Sequence, residues 1–386
     1  METTAPAVFQ LGFILALAAL AGWAARRVSL PAVIGYLAVG ILVSEFTPGY
    51  VADRHQLEVL ADVGVVLLLF EVGIEIDPLS LHRDRGHLLL LAPTQLVTGA
   101  LVAGAVLYAL GVSVAGAALL GLSIAMSSSV VVVNITRSRR RTTDPATEED
   151  MLGWSVLQDL AGVLCAAVLL VVLGIDQRGP AAAALGLVAF VAIAIAAAWA
   201  IPRALRRLRD EHDLFLLASL ASGLVVAGIG ATIFGIPLAL AAFIGGLAIS
   251  EGRDAQEARE RFLPFRDVFA VLFFVAIGTL IDPAHLGGAL PWIAVIVALV
   301  IATKLALVYV LALVGRLAVR RLQLAVGLGQ IGEFSFVLAS LALGAGVIGR
   351  DLYTAVLASV AITIAMSTVG ARLFPKPRAL AAQSAP

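Results

Sequence analysis

LPAVIGYLAVGILVSE (residues 30–45) and IPLALAAFIGGLAISE (236–251) are two copies of one pattern. Pro31, Gly40, Ser44 and Glu45 in the first match Pro237, Gly246, Ser250 and Glu251 in the second. Further on, LLLFEVGIEIDP (67–78) returns as LFFVAIGTLIDP (272–283), where Gly73, Ile76, Asp77 and Pro78 match Gly278, Ile281, Asp282 and Pro283. Both pairs lie nearly the same distance apart along the chain, so a single duplication accounts for them. Chance likeness between apolar helices would not align Pro, Ser, Glu and Asp at a shared offset.

The duplicated segments sit in membrane-like sequence. The chain has 386 residues, 61% hydrophobic and 13% charged. A soluble domain is about 45–50% apolar and about 25% charged, so the composition is that of an all-α polytopic membrane protein. Apolar runs fall near 8–25, 31–44, 57–76, 88–110, 115–135, 150–173, 181–201, 214–232, 236–250, 265–281, 291–314, 322–346 and 352–373. A spanning helix needs about 20 apolar residues, so these thirteen runs predict about thirteen transmembrane helices, the second and ninth being short. Loops are brief, and the tail at 374–386 is too small to fold. METTAPAVFQ has no Lys or Arg, so it lacks the basic start of a signal peptide and the first run is expected to be kept as a helix. The lone Cys165 rules out a disulfide or a multi-cysteine metal site.

Basic residues set the direction. They crowd the loops after odd-numbered runs, as in Arg137, Arg139, Arg140 and Arg141, or Arg203, Arg206, Arg207 and Arg209. After even-numbered runs there are only Arg54, Arg178 and Arg350. The basic side is cytoplasmic, which puts the N-terminus outside and the C-terminus inside an inner, cell membrane. The repeat offset spans seven runs. Seven is odd, so the copies run in opposite senses: repeat one over 8–173, a linker helix at 181–201, and repeat two over 214–373. Inverted repeats are the architecture of many secondary transporters, whose sites lie at mid-membrane.

Two charges stand inside apolar runs: Asp159 in MLGWSVLQDLAGVLCAAVLLVV (151–172) and Lys304 in WIAVIVALVIATKLALVYVLALVG (292–315). A charge at mid-bilayer costs about 3 kcal/mol on insertion scales, so it is kept for a job or a partner. Low dielectric disfavours a bare carboxylate, which is then neutralised by a proton or a bound cation. Lys304 reads as a counter-charge for Asp159, with proton release from the lysine itself as the alternative.

Two runs suit helix interruption beside such a site. GLSIAMSSSVVVVNIT (121–136) sets Ser127, Ser128 and Ser129 before four valines, a poor local helix. AVGLGQIGEFSFVLAS (325–340) places Gly327, Gly329 and Gly332 around Gln330, with Glu333 following; there, interruption and close helix packing are both open. The candidate cation- and proton-binding set is Asp159, Gln158, Ser127, Ser128 and Ser129. Glu333, Gln330 and Glu71 are candidates for an ion path, with helix packing and interfacial solvation as their plainer readings. No P-loop, dinucleotide loop or nucleophile motif supports ATP drive or catalysis, and no cofactor or resident metal is implied.

LLLFEVGIEIDP, SSSVVVV, LQDLAGVL, LFFVAIGTLIDP and GQIGEFSFVLAS together resemble the membrane domain of Kef-type transporters, within the monovalent cation:proton antiporter superfamily. The likeness covers about residues 8–373. It implies a thirteen-helix fold, a dimerising scaffold and a mobile core, and crossing interrupted helices. By match to the QD element, Asp159 would be the ion- and proton-binding carboxylate with Gln158 beside it; Lys304 would match the family's core lysine. The implied activity is exchange of a monovalent cation for H⁺, K⁺ ahead of Na⁺, in a homodimer. A Na⁺/H⁺ antiporter and a gated cation channel on the same fold are the alternatives, and an organic-anion symporter is disfavoured because Lys304 is the lone core cation. Kef proteins usually carry a C-terminal nucleotide-binding domain. This sequence ends soon after its last run, so nucleotide control has no support here, and a separate regulatory subunit stays open.

Overall fold

Glycine and serine punctuate several of the helices. Gly235 adopts a left-handed conformation (φ 61°) and its N–H closes on the Gly230 carbonyl, ending one helix as a glycine C-cap does. Ser113 opens another by accepting the Gly116 N–H at 3.1 Å. Between such stops the chain is helical, the form that satisfies every backbone group without water.

A computed structural model describes residues 5–28, 30, 32–47, 54–75, 86–137, 142–174, 180–208, 210–236, 238–249, 253–281, 283–332 and 334–375. The helices are α1 (Ala5–Arg27), α2 (Ala32–Leu42), α3 (Arg54–Glu75), α4 (Leu88–Ala109), α5 (Val114–Ala125), α6 (Ser129–Arg137), α7 (Pro145–Val172) and α8 (Pro180–Arg207). They continue with α9 (His212–Phe234), α10 (Leu238–Ile249), α11 (Arg253–Thr279), α12 (Leu286–Val300), α13 (Leu307–Val314), α14 (Arg321–Leu328), α15 (Phe334–Gly344) and α16 (Arg350–Arg372). A π-helical turn, Ile301–Ala306, joins α12 to α13. Among the described residues, seven helices are long and apolar enough to cross a membrane, counting α12 through α13 as one. Two of the apolar runs are not single helices: 115–135 divides into α5 and α6, and 322–346 into α14 and α15. The π turn at Lys304 was not foreseen from sequence.

The chain forms two compact units. One comprises Met1–Trp23, Gly35–Leu79 and Leu170–Leu280. Its helices approach through glycine. A Cβ on Gly40 would meet the Val275 carbonyl at 2.1 Å and the Gly278 Cα at 2.6 Å; one on Gly246 would meet the Phe70 carbonyl at 2.1 Å and the Gly73 Cα at 3.0 Å. The four glycines aligned by the repeat therefore pair reciprocally, Gly40 with Gly278 and Gly73 with Gly246. Buried Glu71 is held here by Arg266, whose Nη1 donates to Oε2 at 2.8 Å.

The other unit comprises Ala24–Ile34, Ser80–Leu169 and Ile281–Pro386. Arg320 ties one of its ends together: Nη1 donates to the carbonyls of Thr142 (3.2 Å) and Pro375 (2.6 Å), and Nε lies 3.3 Å from Asp144. This unit carries Asp159, Gln158, Ser127–Ser129, Lys304 and Gln330.

Candidate functional site

The site begins where α5 stops. After Ala125 the backbone is extended at Met126 (φ −84°, ψ 141°), and helix resumes at Ser129. Ser128 caps the new helix by accepting the Val131 N–H at 3.2 Å, which explains a serine run at this point. The second interruption separates Leu328 from Phe334.

The two interruptions complete each other's backbone. Gly332 N–H donates to the Met126 carbonyl (3.0 Å), and the Ser127 hydroxyl donates to the Leu328 carbonyl (2.8 Å). Gln330 spans the Ser128 main chain: Oε1 accepts from its N–H (2.9 Å), and Nε2 donates to its carbonyl (3.1 Å). Ile331 N–H finds the Thr363 hydroxyl at 3.2 Å. Backbone freed from helix in an apolar interior must find such partners, and here each break supplies the other. The approach needs glycine at 332, where a Cβ would lie 2.6 Å from the Ser127 carbonyl oxygen and 3.0 Å from the Ser128 nitrogen.

Helix α7 brings Gln158 and Asp159, both fully buried. The π turn brings Lys304, also fully buried, whose Nζ donates to the Gln330 carbonyl at 2.6 Å. Asp159 and Lys304 carry opposite formal charges, and both are sealed from solvent in this unit. Two groups of opposite formal charge thus share the interior of this unit, and one of them is hydrogen-bonded to a helix break. A buried carboxyl group is tolerated when a proton or a bound cation neutralises it.

Hydrogen bonds join Ser128, Gln330 and Lys304, and tie Ser127 to Leu328 just ahead of Gln330; Asp159 is buried in the same unit. Ser129 is the buried first residue of α6. The Ser127 and Ser128 oxygens serve the backbone, and both ends of the Gln330 amide are committed to Ser128. Glu71 belongs to the other compact unit, paired with Arg266. Glu333 lies outside the described residues. One polar residue escaped the sequence reading. Gln95, fully buried on α4, donates from Nε2 to the carbonyls of Thr303 (3.0 Å) and Ala125 (3.5 Å), and its Oε1 accepts from Gln158 Nε2. The available signal was an amide in the middle of an apolar run.

Residues 14–374 match the family model described as sodium/hydrogen exchanger, transmembrane. YbaL of Escherichia coli (strain K12), named as a candidate cation/proton antiporter, is 31% identical over 284 residues, covering 70% of this chain and 50% of that protein. KefB of Alkalimonas amylolytica, named as a candidate K⁺ efflux antiporter, is 30% identical over 322 residues, covering 78% of this chain and 47% of that protein. The chain thus spans about half the length of these curated relatives. The fold is similar to that of MjNhaP1, a sodium proton antiporter from Methanocaldococcus jannaschii, with TM-score 0.68, 17% identity, and 97% and 98% of the two chains covered.

Proposed function

The chain belongs to the transmembrane sodium/hydrogen exchanger family, and on that premise we propose that it exchanges a monovalent cation for H⁺ across a bilayer by alternating access. The family is one of transporters, not enzymes. The observation that carries the proposal is the full burial of Asp159 and Lys304 in one compact unit, with Lys304 fastened to the junction of two broken helices. In the cycle, cation and proton compete for Asp159, and only a loaded carboxylate allows the site to change sides. Lys304 holds the counter-charge between loads. Gln158 adds an amide oxygen to the cation, and main-chain carbonyls at the breaks complete its shell.

The same proposal assigns the unit bearing Asp159 as the mobile core and the other as the scaffold through which two copies dimerise. It keeps the thirteen spans read from the apolar runs, and its two inverted repeats, 8–173 and 214–373 joined through α8, are supported by the reciprocal glycine pairs. The one-sided distribution of arginine supports an external N-terminus and a cytoplasmic C-terminus in a cell membrane. K⁺ is the favoured cation: Gln158–Asp159 resembles the Kef-type QD pattern, and a relative at 30% identity is named for K⁺.

Purified protein in proteoliposomes, with a trapped pH dye and K⁺, Na⁺, Rb⁺ or Li⁺ outside, tests this. Dye response to K⁺ that vanishes in Asp159→Asn is the expected result. Normal exchange in Asp159→Asn, or cation flux without proton movement, would overturn it; the latter would indicate a channel.

A further inference from the structure

We infer that Gln95 is a positioning residue that aims the Gln158 carbonyl oxygen at the transported cation, and that it thereby sets cation affinity and selectivity. The inference rests on the exchange reading above and goes beyond it by assigning this role to a residue on a different helix.

The polarity of two side-chain amides follows from main-chain chemistry. The Thr303 and Ala125 carbonyls only accept hydrogen bonds. Gln95 lies 3.0 and 3.5 Å from them, so the group facing them must be its NH₂. Its oxygen is then left for Gln158. That oxygen only accepts, so Gln158 must present its own NH₂ to it, as it does. The relay ends with Gln158 Oε1, which is fully buried and has no hydrogen-bond partner among the described residues.

An unmet buried acceptor is costly and calls for an occupant. A dehydrated monovalent cation, neutralised by the adjacent Asp159, provides one. Reversing the Gln158 amide would turn NH₂ toward the cation and set two acceptor oxygens against each other at Gln95. Gln95 makes that reversal costly. Its anchors are informative: Ala125 is the last residue of α5 before the break, and Thr303 lies in the π turn next to Lys304. Gln95 therefore connects the amide beside Asp159 to both elements that hold the counter-charge and the break.

The test uses the full chain in proteoliposomes and compares wild type, Gln95→Met, Gln158→Ala, the double variant and Asp159→Asn. Gln95→Met keeps the length and removes the donors. It is expected to raise the apparent KM for K⁺ about tenfold, the lower end of what losing an orienting partner of a metal ligand costs. It is also expected to change the K⁺/Na⁺ KM ratio, and to have no further effect once Gln158 is alanine. Should Gln95→Met fail to reach the membrane, Gln95→Asn keeps an amide but is one methylene too short to reach Gln158, and the same KM shift is expected.

An unchanged K⁺ KM and ion ratio would overturn the assignment. So would an effect that adds in full to Gln158→Ala, because Gln95 would then be a helix brace only. Failure of the exchange reading is separable: it shows as activity in Asp159→Asn, whereas failure of this inference leaves Asp159→Asn inactive and Gln95→Met like wild type.

Discussion

Asp159 and Lys304 each occupy a place where a lone charge is untenable, and on the proposed pairing each makes the other tolerable. Breaking one half of a buried pair costs roughly 3–5 kcal/mol because the remaining charge is stranded, while removing both is often nearly neutral. Lys304→Gln is therefore expected to lower the thermal unfolding temperature in detergent. Combining it with Asp159→Asn is expected to recover most of the loss, although neither protein exchanges ions. A double variant no more stable than Lys304→Gln alone would show that the two charges do not compensate each other. These residues were legible in the sequence because their burial is expensive and their surroundings apolar. Gln95 was not, since one amide among leucines has the same sequence appearance whether it is a helix brace or a functional link. Only its partners at Thr303, Ala125 and Gln158 bring the proposed link into view.

Among the elements, the decisive objects are the two broken helices. Their positions were foreshadowed by Ser127–Ser129 and by Gly327, Gly329 and Gly332, which weaken helix locally. The use of those residues was not. The Ser128 oxygen caps α6, and the Ser127 hydroxyl satisfies the Leu328 carbonyl. Gln330, expected on an ion path, clasps the opposite break. Pairing between segments so distant in sequence is a tertiary fact that no local pattern encodes. The π turn was equally hidden, because IATKLA has ordinary helix-forming composition. Gly332→Ala pushes a methyl into the Ser127 backbone, and overpacking of this kind typically costs about 1–3 kcal/mol. It is expected to reduce exchange strongly and lower the unfolding temperature. Gly344→Ala, at the far end of α15 with nothing within 4 Å of a new Cβ, is expected to leave both unchanged. Equal effects of the two substitutions on transport would remove the junction from the mechanism.

For the whole molecule, the proposed duplication rests on the sequence offset, and the reciprocal approach of Gly40 to Gly278 and of Gly73 to Gly246 supports it. Periodicity and composition revealed the helices, but not the division into two compact units, which depends on which helices choose one another. The orientation assigned to the chain has its own check. With Cys165 replaced by alanine, Gly349→Cys is expected to react with an impermeant maleimide in intact cells, and Asp210→Cys only after the membrane is opened. The reverse pattern would invert the proposed topology.

The central claim is that one carboxylate, Asp159, holds either a proton or a cation. It is tested most directly by adding K⁺ to purified, weakly buffered protein and recording released protons. Binding that displaces a proton from a ligand frees it to solution, so wild type is expected to release up to about one proton per chain, and Asp159→Asn none. Undiminished release from Asp159→Asn would place the competition between proton and cation on another group and contradict the claim.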